Sequence, residues 1–330
     1  MTSANITTKQ AVLAALAPIA PEMAQVEKII AEQMESSVAR VQEIGLYITG
    51  AGGKRMRPAL LILMARAMGA ESEAAAYLGA IIEILHTATL MHDDVVDAGE
   101  QRRGRDTANK IWGNGQAVLV GDFLYTRSFQ MMVRFGNLRV MQALSDAANR
   151  LSEGEVLQMA GAHDPNVDEA RYFAVIERKT ACLFEAAAKM AAAISPASEE
   201  MERACVEYTL HLGNAFQIVD DILDYAGNAD ETGKKLGADL REGKVTLPVI
   251  YALENCSDEE RAVIVQAIRE GDGDLPAVSR IIRSSGALDR CRAKALEEAE
   301  LGKAAISRLP SGQFTESLIK FLLFAVNRDR

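Results

Sequence analysis

The sequence predicts an all-α protein of one large domain. Three observations predict it. Apolar residues recur at spacings of three and four: in "AAAYLGAIIEILHTATLMHDDVVD", Tyr77, Leu78, Ile81, Ile82, Leu85, Thr89 and His92 share one helical face. Alanine, leucine, glutamate and methionine dominate, and long alternating β patterns are missing. The prolines Pro58, Pro165, Pro196, Pro248, Pro276 and Pro310 fall where connections are expected. The chain has 330 residues, 49% of them hydrophobic and 25% charged, enough for a substantial core. No low-complexity linker divides it, so one domain over 1–330 is the economical organisation, with "DGDLPAV" near Pro276 as a loop.

From the N-terminus onward, "MTSANITTKQAVLAALAPIAPEM" lacks a basic segment, and Pro18 and Pro21 interrupt its apolar run, so no signal peptide is expected. No uninterrupted apolar run approaches the roughly 20 residues of a membrane span, which predicts a cytoplasmic protein without a membrane anchor. The net charge of −10 argues against nucleic acid as the main partner. Cys182, Cys205, Cys256 and Cys291 are scattered without a CxxC pair, so free thiols are expected in place of a zinc site or a disulfide framework.

Next, "GAGGKRMRP" at Gly50–Pro58 joins a glycine turn to Lys54, Arg55 and Arg57. Glycines let a backbone approach an anion, and arginine offers a planar fork to phosphate oxygens. The stretch is no P-loop, because GxxxxGK[ST] is absent. An apolar helix then ends in "DDVVD" at Asp93–Asp97, and a second ends in "DDILD" at Asp220–Asp224. In each, the first and last aspartates lie about 40° apart, one turn up the same face. Such like charges repel, and acidic groups at a helix C-terminus are unfavourable. A divalent cation would offset both costs, and oxygen ligands with positions left for phosphate suit Mg²⁺. A solvated acidic face is the plain alternative for one such motif, but two copies with basic residues downstream point to two walls of one cavity. Those basic residues are Arg102 and Arg103, then Lys179 beside Thr180, then Lys234, Lys235 and Lys244 in "GKKLGADLREGKVTLP". Together they fit a diphosphate headgroup held through Mg²⁺.

From "GGKRMRP" through "HDDVVD", "EGEVLQM", "KTACLFEAA", "FQIVDDILDY" and "LREGKVTLP" to the terminal "NRDR", the chain resembles the trans-isoprenyl diphosphate synthases. It is most similar to the long-chain octaprenyl and decaprenyl type. The resemblance implies a single large helical bundle of the isoprenoid synthase type around a central cavity, a homodimer, three Mg²⁺ per site, and condensation of isopentenyl diphosphate with an allylic diphosphate for the ubiquinone side chain. It implies that Lys54, Arg57, His86 and Arg103 hold isopentenyl diphosphate. Arg102, Lys179, Thr180, Gln217, Lys234 and Lys244 would surround the allylic diphosphate. Asp93, Asp97 and Asp220 would ligate metal, supported by Asp94, Asp221 and Asp224. Asp93, Asp97, Lys179, Asp220 and Lys234 would carry catalysis.

His86 lies seven residues before Asp93, two turns back on nearly the same face, which makes a substrate contact credible over a core role. His92, His163 and His211 are expected to be structural. Ala88 and Thr89 precede the first motif and are small, which argues for a deep tunnel and against a farnesyl product, although small residues also serve close helix packing. Phe129, Met131, Met132 and Phe135 are candidates for the tunnel floor or for ordinary core. Rival expectations are a farnesyl or geranylgeranyl synthase, an HD-type phosphohydrolase prompted by His92–Asp93, a non-catalytic prenyltransferase subunit, and a terpene cyclase.

Overall fold

Helices form wherever the apolar spacing of three and four runs unbroken. The computed structural model describes residues 14–71, 73–226, 237–271 and 273–328. After a 3₁₀ turn at Ala17–Ile19 come α1 (Ala20–Gln33), α2 (Ala39–Thr49), α3 (Met56–Ala67) and α4 (Ala74–Val96). Two short strands, β1 (Gln101–Arg102) and β2 (Arg105–Asp106), lead into α5 (Ala108–Trp112), α6 (Asn114–Phe135) and α7 (Leu138–Met159). Helix α8 (Glu169–Ile176) continues through a π turn at Glu177–Ala181 into α9 (Cys182–Ala193), followed by α10 (Glu199–Ala226). Then come α11 (Ala238–Arg241), α12 (Leu247–Glu254), α13 (Asp258–Glu270), α14 (Leu275–Ser284), α15 (Ala287–Ile306) and α16 (Gln313–Val326).

Helix α4 is the spine. It packs along α6, α3 and α1 and is buried over most of its length. By length and composition it could cross a bilayer, but its residues are spent on the core. The apolar run escapes notice in the sequence because Glu83 and His86 interrupt it. Glu83 is buried and paired with Arg55 at 3.0 Å, so its charge does not break the helix. Helix α10 packs along α15 and α9.

Buried apolar side chains fall into two clusters. The first joins α1, α3, α4, α6, α7 and α9 with the N-terminal half of α10, the end of α15 and α16. The second gathers α8, the C-terminal half of α10, α12, α13, α14 and the start of α15. Helices α10 and α15 therefore run through both.

Pro165, Pro196 and Pro310 lie in connections as expected, but three others do not. Pro58, Pro248 and Pro276 occupy first turns of helices, as does Pro21 in α1. A first-turn N–H has no intrahelical partner, so proline costs nothing there. The expected loop "DGDLPAV" is in part the start of α14, with Asp274 accepting from the N–H of Ala277 as its cap. The hairpin was invisible in the sequence because each strand has two residues. Its turn is Arg103–Gly104, with φ of 55° and 74°, the left-handed pair that a tight two-residue hairpin needs.

Candidate active site

One cavity of about 440 Å³ brings the two acidic helices together. Asp93 of α4 and Asp220 of α10 both line it, with His86, Thr89, Glu155, Lys179, Thr180 and Gln217. Lys54, Arg57, Arg102 and Arg103 line it as well. Its apolar lining includes Leu90, Leu151, Phe184 and Phe216.

The six aspartates do not act alike. Asp93 and Asp220 face the cavity, whereas Asp94 is buried and accepts from Arg102 Nε at 2.8 Å. Asp97 caps the end of α4 and takes Lys244 Nζ at 3.1 Å. Asp221 is buried away from the cavity, accepting from Tyr172 Oη at 2.6 Å and Gln217 Nε2 at 2.9 Å. Neighbouring residues on a helix are 100° apart, so Asp221 cannot share the face of Asp220. Asp224 accepts the backbone N–H groups of Ala238 and Asp239 at the start of α11, at 3.1 and 3.2 Å.

Cations complete the arrangement. Arg57 is stacked 4.8 Å over the Phe184 ring, and its Nε is buried without a hydrogen-bond acceptor, a donor waiting for an anion. Lys54 lies 5.4 Å from the Phe216 ring and 5.5 Å from that of Phe324. Arg103 donates to the Gly52 carbonyl, so the hairpin and the glycine turn close on one another. Arg55, the middle cation of "KRMR", is buried and held by Glu27, Glu83 and the Thr49 carbonyl. Lys234 and Lys235 lie outside the described residues.

Lys179 and Thr180 sit on the π turn. Such a turn widens the helix locally and recurs at functional sites. Here it fits because two glycines face it. A Cβ at Gly154 would lie 2.8 Å from Arg178 Cβ, and one at Gly213 would lie 2.8 Å from Ala181 Cα. Lys179 Nζ then reaches Glu155 at 2.7 Å and Gln158 at 2.9 Å, and Thr180 donates to Gln217 Oε1 at 2.9 Å.

Electrostatics favour an added cation. Burial pushes the Asp93 carboxyl up to about 6, Glu155 and Asp97 push it the same way, and Lys179 and Arg102 only partly oppose them. One oxygen of Glu155, Oε1, is buried without a partner. Among the described residues no group of three or more donors already converges as a metal cage. That pattern suits Mg²⁺, which takes one or two carboxylates and completes its shell with substrate phosphates and water. His86 is driven well below its usual value by burial, then by Arg57, Arg103 and Arg102, so it is neutral at pH 7. Burial alone would lower Lys244, but Glu242 and Asp97 raise it, so it stays charged.

A pH effect follows. Asp93 binds its proton more tightly when folded, so its contribution to metal-free stability is full below pH 4 and is lost as pH rises through about 6. Divalent cation must displace that proton. Its affinity is expected to fall about tenfold per unit below pH 6 and to level off above it. Titration calorimetry from pH 5 to 7.5 checks this; a flat profile would remove Asp93 from the metal site.

Residues 38–284 match the family model described as polyprenyl synthetase. The chain belongs to the polyprenyl synthetase family. Octaprenyl diphosphate synthase of Escherichia coli K12 is 44% identical to this synthetase over 313 residues, covering 94% of this chain and 97% of that one. An all-trans-nonaprenyl-diphosphate synthase of Rhodobacter capsulatus is also 44% identical, over 315 residues, covering 95% of this chain and 97% of that one. Among solved structures, a polyprenyl synthase of Caulobacter crescentus CB15, complexed with calcium and isoprenyl diphosphate, superposes with a TM-score of 0.92 at 38% identity, covering 97% of this chain and 98% of that one. A decaprenyl diphosphate synthase of Rhodobacter capsulatus gives 0.90 at 41% identity, covering 96% and 98%. The synthetase is thus an all-α prenyltransferase, which sets aside the HD-type phosphohydrolase expectation. His92 contacts the Val118 carbonyl and Asp122 on α6, both at 3.3 Å.

Several site residues are given no role by the sequence, although Arg328 falls inside the quoted "NRDR". Arg328, near the end of the chain, is buried and pairs with Asp220 Oδ1 at 2.9 Å. Glu155 lies inside the quoted "EGEVLQM", where a glutamate two residues from another reads as a solvated pair. Asp239 is pushed up to about 7 by burial and then by Asp224. Only the folded arrangement brings these groups to the two aspartate motifs.

Proposed function

We propose that this synthetase adds isopentenyl diphosphate units to an allylic diphosphate and builds an octaprenyl to decaprenyl diphosphate for the ubiquinone side chain. One observation carries the reading: Asp93 and Asp220, on separate helices, line one cavity with two sets of cations. Lys54, Arg57, His86 and Arg103 would receive isopentenyl diphosphate. Arg102, Lys179, Thr180, Gln217 and Lys244 would receive the allylic diphosphate, joined by Lys234. Asp93, Asp97 and Asp220 would hold Mg²⁺, three ions per site, with Asp94, Asp221 and Asp224 in support. When bound, Mg²⁺ supplies charge neutralisation for the departing diphosphate.

The protein's own groups do the rest. Breaking the allylic C–O bond moves charge onto the diphosphate oxygens. Lys179, Arg102 and Lys244 meet that charge as a prearranged field, in which reorganisation costs little. Arg57 and Arg103 fix the second diphosphate so that its double bond faces the cationic carbon. After the new C–C bond forms, the departed diphosphate takes the proton, since neutral His86 stands among arginines on the other side. Leu90, Leu151, Phe184 and Phe216 keep water from the cation. The working unit is one domain over 1–330, a cytoplasmic homodimer.

Incubation with farnesyl diphosphate, isopentenyl diphosphate and Mg²⁺ tests the reading by mass spectrometry. Products of eight to ten isoprene units are expected; a fifteen- or twenty-carbon end product would overturn the long-chain assignment. Thr89 lines the cavity, whereas Ala88 is fully buried in α4 and is not part of that lining. Ala88→Phe and Thr89→Phe are both expected to shorten the product while condensation continues, Ala88→Phe also losing about 1–3 kcal/mol through overpacking. Unchanged product length on reversed-phase chromatography would reject the tunnel assignment.

A further inference from the structure

Behind the cavity wall runs a chain of short hydrogen bonds. Tyr172 Oη donates to Asp221 Oδ2 at 2.6 Å, Gln217 Nε2 donates to Asp221 Oδ1 at 2.9 Å, and Thr180 Oγ1 donates to Gln217 Oε1 at 2.9 Å. Thr180 and Gln217 line the central cavity, but Tyr172 and Asp221 do not. Those two line an adjoining, smaller cavity of about 160 Å³, which shares Lys179, Thr180 and Gln217 with the central one and also meets Lys244. Tyr172 is 4% exposed and Asp221 3%. Each oxygen of Asp221 thus accepts from an internal donor, and its side chain anchors Gln217.

We infer that Tyr172 is a positioning residue for the allylic diphosphate, acting through Asp221 and Gln217 to hold the Thr180 hydroxyl in place. The inference rests on the proposal that Thr180 and Gln217 face that diphosphate. The physical cause is orientation. With its Nε2 tied to Asp221, Gln217 turns Oε1 toward Thr180, and the hydroxyl proton has one defined acceptor until phosphate competes for it. Tyr172 fixes the far oxygen of Asp221 and so prevents the carboxylate from turning. Without that donor, Asp221, Gln217 and Thr180 regain rotameric freedom, and a bound diphosphate must immobilise them again. The isopentenyl side, built from Lys54, Arg57, His86 and Arg103, is not part of the chain of bonds.

Tyr172→Phe keeps the ring and removes the donor. The expected result is a rise of about tenfold in KM for farnesyl diphosphate and in Kd for inorganic pyrophosphate measured calorimetrically with Mg²⁺. KM for isopentenyl diphosphate should stay within about twofold. Thr180→Val provides the second arm: Tyr172→Phe/Thr180→Val should bind pyrophosphate no more weakly than Thr180→Val alone, because both changes cut the same chain. Additive losses, equal effects on both substrates, or loss of fold in Tyr172→Phe would each overturn the inference, since the hydroxyl would then support the structure in general. If Thr180→Val weakens pyrophosphate and Tyr172→Phe does not, the inference fails and the allylic site stands. If neither Thr180→Val nor Gln217→Leu alters pyrophosphate binding, the allylic site itself is misplaced and the inference falls with it.

Discussion

Asp93→Ala is expected to lower Mg²⁺-dependent condensation by about 10³-fold in a protein that keeps its fold. The carboxylate lines the cavity, and its acidic neighbours in the same motif are engaged elsewhere: Asp94 is paired to Arg102 and Asp97 to Lys244. Removing it also relieves the burial of a charge and, after that, the repulsion from Glu155 and Asp97, which together hold its pKa up at about 6. Thermal denaturation of the metal-free variant at pH 7 should therefore match or exceed that of the parent. Asp220→Ala should lose as much activity but behave oppositely on heating. Its carboxylate is the ion partner of Arg328, whose side chain is only 1% exposed, and a buried guanidinium stripped of its partner is destabilising. Assay of product formation beside a melting curve separates the two. Near-normal rates in either folded variant would end the assignment of the aspartates to catalysis.

Gly213→Ala is the second large effect. Its new Cβ would stand 2.8 Å from both Cα and Cβ of Ala181, and neither is the loose end of a flexible side chain. The π turn at Glu177–Ala181 must then shift, carrying Lys179 and Thr180 with it. A displacement of this kind is expected to cost about 10²-fold in kcat/KM and about 1–3 kcal/mol of stability. The measurements are steady-state kinetics with each substrate varied in turn and denaturant unfolding. Parental kinetics in Gly213→Ala would show that the glycine contact does not set the position of the π turn.

Much of the bundle was legible because its strongest signals are local. The apolar faces of α4 and α10 and their acidic ends lie within single helices, where a period of 3.6 makes neighbours predictable. The same period, applied one residue further, separates Asp221 from Asp220. What decides the use of Asp221, though, is Tyr172, on another helix. The π turn left no trace because nothing in "IERKTACLF" breaks an α-helical pattern; Gly154 and Gly213, which make room for it, lie on α7 and α10. The first-turn prolines were misplaced because a proline that ends a loop and one that opens a helix differ by a residue or two. The pairing of Arg328 was beyond reach for a different reason: it joins the chain's last described residue to Asp220 near the C-terminal end of α10, and only tertiary packing specifies it.

The two aspartate motifs are anchored in different apolar clusters. Asp93 rides on α4, packed in the first, while the stretch of α10 around Asp220 is fixed by Ile218, Val219 and Ile222 in the second. Catalytic competence consequently reports on how those two masses are registered against one another, not on either alone. Warming that loosens the seam should silence turnover at a temperature where circular dichroism still records a full complement of helix.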